Sequence, residues 1–89
     1  MEHTSIFAVK NIKGLHTRPS LAIASVANKF YSKIWLQYKD KLANAKDLLE
    51  IMMLAATYKA KIKIVAEGKD AKMAVKNIKE LAENNFGEN

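Results

Sequence analysis

Residues 5–20 read SIFAVKNIKGLHTRPS, and the periodicity of the chain changes within this run. Phe7 and Val9 recur at period two, as on one face of a strand. Gly14 permits a sharp bend, and Pro19 then stands where the first turn of a helix tolerates it, since the amides there lack intrahelical acceptors. Ile23, Val26, Ala27 and Phe30 follow at the spacing of one helix face. A strand therefore passes into a helix, and the junction carries His16 and Arg18. The chain has two histidines and one proline, and one of each lies at this junction.

Outward from the junction the pattern continues to alternate. Residues 33–38, KIWLQY, place Ile34, Leu36 and Tyr38 on one side and Trp35 on the other. Residues 39–42, KDKL, read as a turn, and residues 42–44, LAN, as a short return strand. Asp47 is placed to cap a short helix over residues 48–55, LLEIMMLA. Residues 61–68, KIKIVAEG, form a further strand with Ile62 and Ile64 on one face, ended by Gly68. Asp70 is expected to cap a last helix whose stripe is Ala71, Ala74, Val75, Ile78, Leu81 and Ala82. The order β-α-β-β-α-β-α predicts an α+β fold. Three amphipathic helices pack on one face of a four-stranded, mostly antiparallel sheet, and the other face stays largely open to water. By parity Ile6, Trp35 and Val65 share the open face, as a partly apolar patch or with Trp35 shielded by lysine stems such as that of Lys63. His3 is read as part of a frayed terminus with no role.

A length of 89 residues suits a single domain spanning 1–89. With 49% hydrophobic and 27% charged residues the composition is globular rather than disordered. The absence of cysteine excludes disulfides and thiolate metal sites and suits a cytoplasmic location; no metal site and no cofactor are expected. The opening MEHTSIFAVK lacks the basic head and apolar run of a secretory leader, and no apolar run approaches a membrane span. A net charge of +6 favours an anionic partner, which charge alone does not identify as nucleic acid, acidic protein or phosphate.

His16 is expected just before the first turn of its helix, where free amides and the positive end of the helix dipole form an anion site. Arg18 adds a fork of donors matched to phosphate. A histidine that attacks phosphorus becomes a dianionic phosphoimidazole, which this setting stabilises without locking it in place. Most histidines near a helix start serve only a local hydrogen bond. The combination Gly-x-His-x-Arg-Pro at a strand-to-helix junction instead favours a phosphoryl relay.

With GLHTRPS at 14–20, AKDLLEIMML at 45–54 and IKIVAEGKDAKMAV at 62–75, nearly the whole chain resembles the HPr family, the histidine-containing phosphocarriers of the bacterial phosphoenolpyruvate:sugar phosphotransferase system. The resemblance implies an open-faced β-sandwich and phosphorylation at Nδ1 of His16. The donor would be phosphorylated enzyme I and the acceptors IIA domains of sugar permeases or of a regulatory branch. It also implies that Arg18 neutralises the phosphoryl group, that the Thr17 and Arg18 amides hold its oxygens, and that Leu48, Leu49 and Met52, with Leu21 nearby, dock on both partners. Such a protein is a covalently phosphorylated carrier rather than a stand-alone enzyme, expected here as a monomer without membrane or nucleic-acid contact. Two positions depart from the family. Asp47 stands where kinase-regulated members carry serine, and Glu50 where many carry glycine or a cation.

A nucleic-acid-binding domain is the rival suggested by the charge, but neither the GxxG loop of a KH domain nor the aromatic pair of an RRM strand is present. A hydrolytic enzyme lacks a second histidine, cysteine or carboxylate within the motif to serve as base.

Overall fold

Each strand buries alternate residues, and the buried set faces one layer of helices. The computed structural model describes residues 1–88. Its elements are β1 (Glu2–Ala8), α1 (Thr17–Ala27), β2 (Lys33–Tyr38), β3 (Lys41–Asn44), α2 (Leu48–Met53), β4 (Lys61–Glu67) and α3 (Ala71–Glu83), followed by a 3₁₀ turn over Asn85–Gly87. The sheet order is β1-β4-β2-β3, and every pairing is antiparallel. The fold is an open-faced β-sandwich with the helices on one side.

The core joins Phe7, Ile34, Leu36, Ile62 and Ile64 from the sheet to Ile23, Ile51, Leu54 and Ile78 from the helical layer. Fully burying each of these large apolar side chains contributes roughly 1.5–3 kcal/mol before entropy is counted. Alanines 66, 71, 74 and 82 are also buried, and their small side chains let α3 lie close over β1 and β4. No helix among the described residues is long and apolar enough to cross a membrane.

Several boundaries differ from the expectation for physical reasons. The β2–β3 turn is only Lys39–Asp40, because Tyr38 already pairs with Lys41; Lys39 takes a left-handed φ of 56° to close it. Helix α2 stops at Met53 rather than Ala55. Leu54 and Ala55 donate three residues back, to Ile51 and Met52, and Ala55 turns left-handed at φ 52°. That turn carries the chain to Ala56, whose carbonyl meets the start of α1. Phe30 lies past the end of α1 but still packs against the core. His3 is not frayed: it pairs with Ala66 inside β1 and is half-buried.

Asp70 stands at the N-cap of α3 but makes no capping bond with its side chain. Its carboxylate instead crosses to the α1–β2 connection, where it accepts from the Tyr31 and Ser32 amides, each at 2.9 Å, and from the Ser32 hydroxyl. The clasp is close: a Cβ on Gly68 would come within 2.6 Å of Ser32 Oγ and 2.8 Å of its Cα. The Ser32 hydroxyl, then the Tyr31 amide, hold the Asp70 carboxyl below its ordinary value of 3.8. A depressed folded-state pKa gives stability that is complete above the unfolded value and is lost as pH falls through the folded one. Asp70→Asn should therefore lower the urea midpoint at neutral pH, and the difference from wild type should shrink as the pH is taken below 3.8. A gap that stays constant down the acid limb would remove the charge from this clasp.

Candidate functional site

The site begins with a backbone hook. The Gly14 amide donates to the Asn11 carbonyl at 2.9 Å, and the Leu15 amide donates to the Ala56 carbonyl at 2.9 Å. Gly14 adopts φ 72°, and a Cβ there would collide with the Ala56 carbonyl oxygen. Only glycine meets both demands without displacement. The hook fixes Leu15 in the core and delivers His16 as the N-cap of α1 with extended backbone (φ −78°, ψ −169°).

The His16 carbonyl accepts from the Ser20 amide at 3.1 Å, which is the first bond of the helix. Pro19, buried at the third helical position, has no amide to satisfy. The amides of Thr17 and Arg18 precede the first intrahelical bond and have no intrahelical acceptor. Ser20 is locked beneath them, its hydroxyl donating to the Leu15 carbonyl at 3.0 Å in a fully buried position. The backbone positions His16, whose imidazole makes no capping hydrogen bond of its own.

A residue that the sequence reading did not single out completes the site. The Glu88 carboxylate lies 3.5 Å from His16 Nε2 and 3.8 Å from Arg18 Nε, and the buried Asn11 side chain donates to it. The side chains are 30% exposed for His16, 80% for Arg18 and 17% for Glu88, so the carboxylate is the inner group and the guanidinium the outer. Glu88 is brought there by Phe86, which is buried and stands edge-on to Phe7 with ring centres 6.0 Å apart. The aromatic residue in an otherwise polar tail was the available signal. These groups line an open cleft of about 810 Å³ whose other charged members are Lys10 and Lys13.

The helical patch expected from the sequence is partly exposed. Leu49 and Met53 are 66% and 67% exposed, Leu21 is exposed, and Leu48 and Met52 are half-buried. Met53 was not among the expected residues, while Ile51 between them turns inward to the core. Thr17 Oγ1 approaches Met52 Sδ at 4.0 Å, so the start of α1 and this patch are contiguous. Asp47 caps α2 as expected, its carboxylate accepting from the Glu50 amide at 3.1 Å. Glu50 remains exposed, with its carboxylate accepting from the Asn44 amide at 2.8 Å. Groups of His, Cys, Asp and Glu able to hold a metal ion are absent among the described residues.

The hook predicts the effect of one methyl group. Gly14→Ala should destabilise the protein by roughly 1–3 kcal/mol, because the new residue is strained at positive φ and meets backbone. The same change should shift the amide resonances of residues 15–18, the segment held by the hook. A variant with wild-type stability and unshifted resonances would show that Gly14 is not what sets the bend.

Known proteins resemble this chain in both sequence and fold. Residues 4–84 match the family described as the PTS HPr component phosphorylation site. The crystal structure of HPr-C-His from Thermoanaerobacter tengcongensis superposes with a TM-score of 0.93 at 37% identity, over 98% of each chain. The phosphocarrier protein HPr of Xylella fastidiosa strain 9a5c is 35% identical over 99% of this chain and 97% of its own length. The phosphoryl donor subunit DhaM of the PEP-dependent dihydroxyacetone kinase of Providencia stuartii is 37% identical over 97% of this chain, which spans only 18% of that protein. With 81 of its 89 residues inside the match, the chain belongs to the HPr family of the phosphotransferase system.

Proposed function

We propose that the chain is a phosphoryl carrier in which Nδ1 of His16 accepts the group from the phosphohistidine of enzyme I and passes it to a IIA domain. The observation that carries this reading is the location of His16 itself: it is the N-cap of α1, with donors converging on the space before it. The phosphorus exchanges one nitrogen for another, so the bond to the donor imidazole breaks as the bond to Nδ1 forms. At the acceptor the sequence reverses. The Thr17 and Arg18 amides receive the phosphoryl oxygens, and the exposed Arg18 fork closes on them.

Glu88 acts on the other ring nitrogen. Its carboxylate faces Nε2, which favours the tautomer with hydrogen on Nε2 and the nucleophilic lone pair on Nδ1. Once Nδ1 carries the phosphoryl group, the same carboxylate is a neighbouring like charge. That repulsion opposes overly tight retention, as a relay requires. The partners dock on the partly exposed apolar surface of Leu21, Leu48, Leu49 and Met52, next to the phosphorylated ring. In this reading the protein meets them as a cytoplasmic monomer. The IIA domains of a sugar permease and those of a regulatory branch are both served by this chemistry.

His16→Ala should abolish acid-labile phosphate after incubation with enzyme I and phosphoenolpyruvate, with the circular dichroism spectrum unchanged. Residual acid-labile phosphate on that variant would move the acceptor elsewhere. Arg18→Ala should retain phosphorylation but slow transfer roughly ten- to a hundredfold, the equivalent of one charge-assisted hydrogen bond. Equal rates in both directions would take Arg18 out of the mechanism.

Asp47 sets the regulatory expectation. A carboxylate caps α2 as a serine would, but a kinase cannot phosphorylate it as it would a hydroxyl. With one charge against nearly two, it mimics a phosphoserine only in part. Asp47→Ser should keep the helix, become a substrate for an HPr kinase and accept phosphate from enzyme I modestly faster. A wild-type protein already modified at this position, or a serine variant no faster, would contradict the corresponding half.

A further inference from the structure

We propose that the open face of the sheet is a contact surface for a second copy of this chain. The face is built of rows read from the strand register: Glu2, Glu67 and Lys33; then Thr4, Val65, Trp35 and Asn44; then Ile6, Lys63, Gln37 and Leu42; then Ala8 and Lys61. Ile6 and Leu42 are 55% and 62% exposed, and Trp35 and Val65 are half-buried with no helix over them. Lysine ammonium groups stand over Tyr31, Tyr38 and Tyr58, but among the described residues none stands over the Trp35 ring. The centre of the face thus carries apolar side chains, with no cation seated on the Trp35 ring among the described residues.

Its charges name the occupant. One end carries a net single negative charge, from Glu2 and Glu67 against Lys33, and the other carries Lys61 and Lys63. A face with opposite ends of opposite sign is complementary to itself when turned end for end. A twofold axis lying between the two sheets and running across the strands sets Glu67 of each copy over Lys61 of the other. It also lays the Trp35–Val65 row over the aliphatic stem of Lys63 and over Gln37. An axis running along the strands keeps each end against its own kind, so the Lys61 and Lys63 end of one copy would meet the same basic end of the other, and it is rejected. An acidic peptide or a nucleic acid would be repelled by Glu2 and Glu67 and leaves that end unexplained.

The area sets the strength. Strands about 4.8 Å apart and rows about 6.8 Å apart make a face of roughly 400 Å². Such a patch lies at the small end of specific interfaces. The net charge of +6 on each copy also opposes approach. Association therefore belongs at high protein concentration and moderate salt, where long-range repulsion is screened and contact pairs persist. The face lies on the side of the sheet away from the helices that carry His16, so this inference does not rest on the carrier reading.

Trp35 is the one tryptophan in the chain and reports directly. Sedimentation velocity and tryptophan emission should be followed together from tens of micromolar to about 1 mM protein. The expected result is a rise toward twice the monomer mass, with a blue shift in step. Trp35→Lys should abolish it. Glu67→Lys and Lys61→Glu should each weaken association at least tenfold, while their equimolar mixture should regain it, because every cross-copy pair then opposes unlike charges. Circular dichroism verifies that each variant is folded, and phosphoryl acceptance by His16 should be unchanged in all of them. A monomer with constant emission at every concentration overturns the proposal. So does association that survives Trp35→Lys, or a mixture that fails to recover. A shift produced only by added polyglutamate or single-stranded oligonucleotide would assign the face to an anionic partner and likewise overturn it.

Discussion

The Leu15 amide donates to the Ala56 carbonyl across the gap between the β1–α1 junction and the loop after α2, and much of the molecule is arranged around that bond. It requires Gly14, since any side chain there would strike Ala56. It also requires α2 to stop early, since only the left-handed turn at Ala55 presents the Ala56 carbonyl to the junction. Two segments about forty residues apart are thereby held in contact, and His16 and the patch on α2 become one continuous surface. Neither segment could be moved by a residue without breaking this surface.

The family resemblance and the alternating patterns were sufficient for the architecture. Period-two burial at Phe7, Ile34, Leu36, Ile62 and Ile64, and the helical stripe from Ala71 to Ala82, are properties of one segment at a time, and a sequence displays them directly. What was not legible depends on distant partners. The use of Asp70 could not be foreseen from its own surroundings, which recommended an N-cap; three donors in the Tyr31–Ser32 connection compete for its carboxylate and win. Glu50 is a similar case, its carboxylate accepting from the Asn44 amide six residues back. At the candidate site, His16, Thr17, Arg18 and Pro19 stand consecutively and could be read as a unit. Glu88 comes from the other end of the chain and is placed by the packing of Phe86 on Phe7, a contact whose one local trace is an aromatic residue in a polar tail.

The same unit appears in relatives of very different size. The Xylella fastidiosa phosphocarrier is matched over 97% of its length, whereas the Providencia stuartii donor subunit is matched over 18%. A fold whose core is complete on one side of its sheet suits both situations, because the helical layer does not depend on what meets the other side.

The position of Glu88 has a further consequence for the resting protein. Its carboxylate is tethered two residues from the buried Phe86 ring and so stays near His16 and Arg18 at every protein dilution. In the language of effective concentration, such a tethered group acts at a millimolar level or above. Free inorganic phosphate and small carboxylates compete for Arg18 against an occupant that cannot diffuse away. In the proposed carrier, a phosphoryl group arriving on a docked partner would not face that competition on equal terms, since its own delivery would also be intramolecular within the complex. If the protein relays phosphoryl groups as proposed, the tail would act as a filter on molecularity, competing at Arg18 with dissolved anions more than with a group brought by a protein.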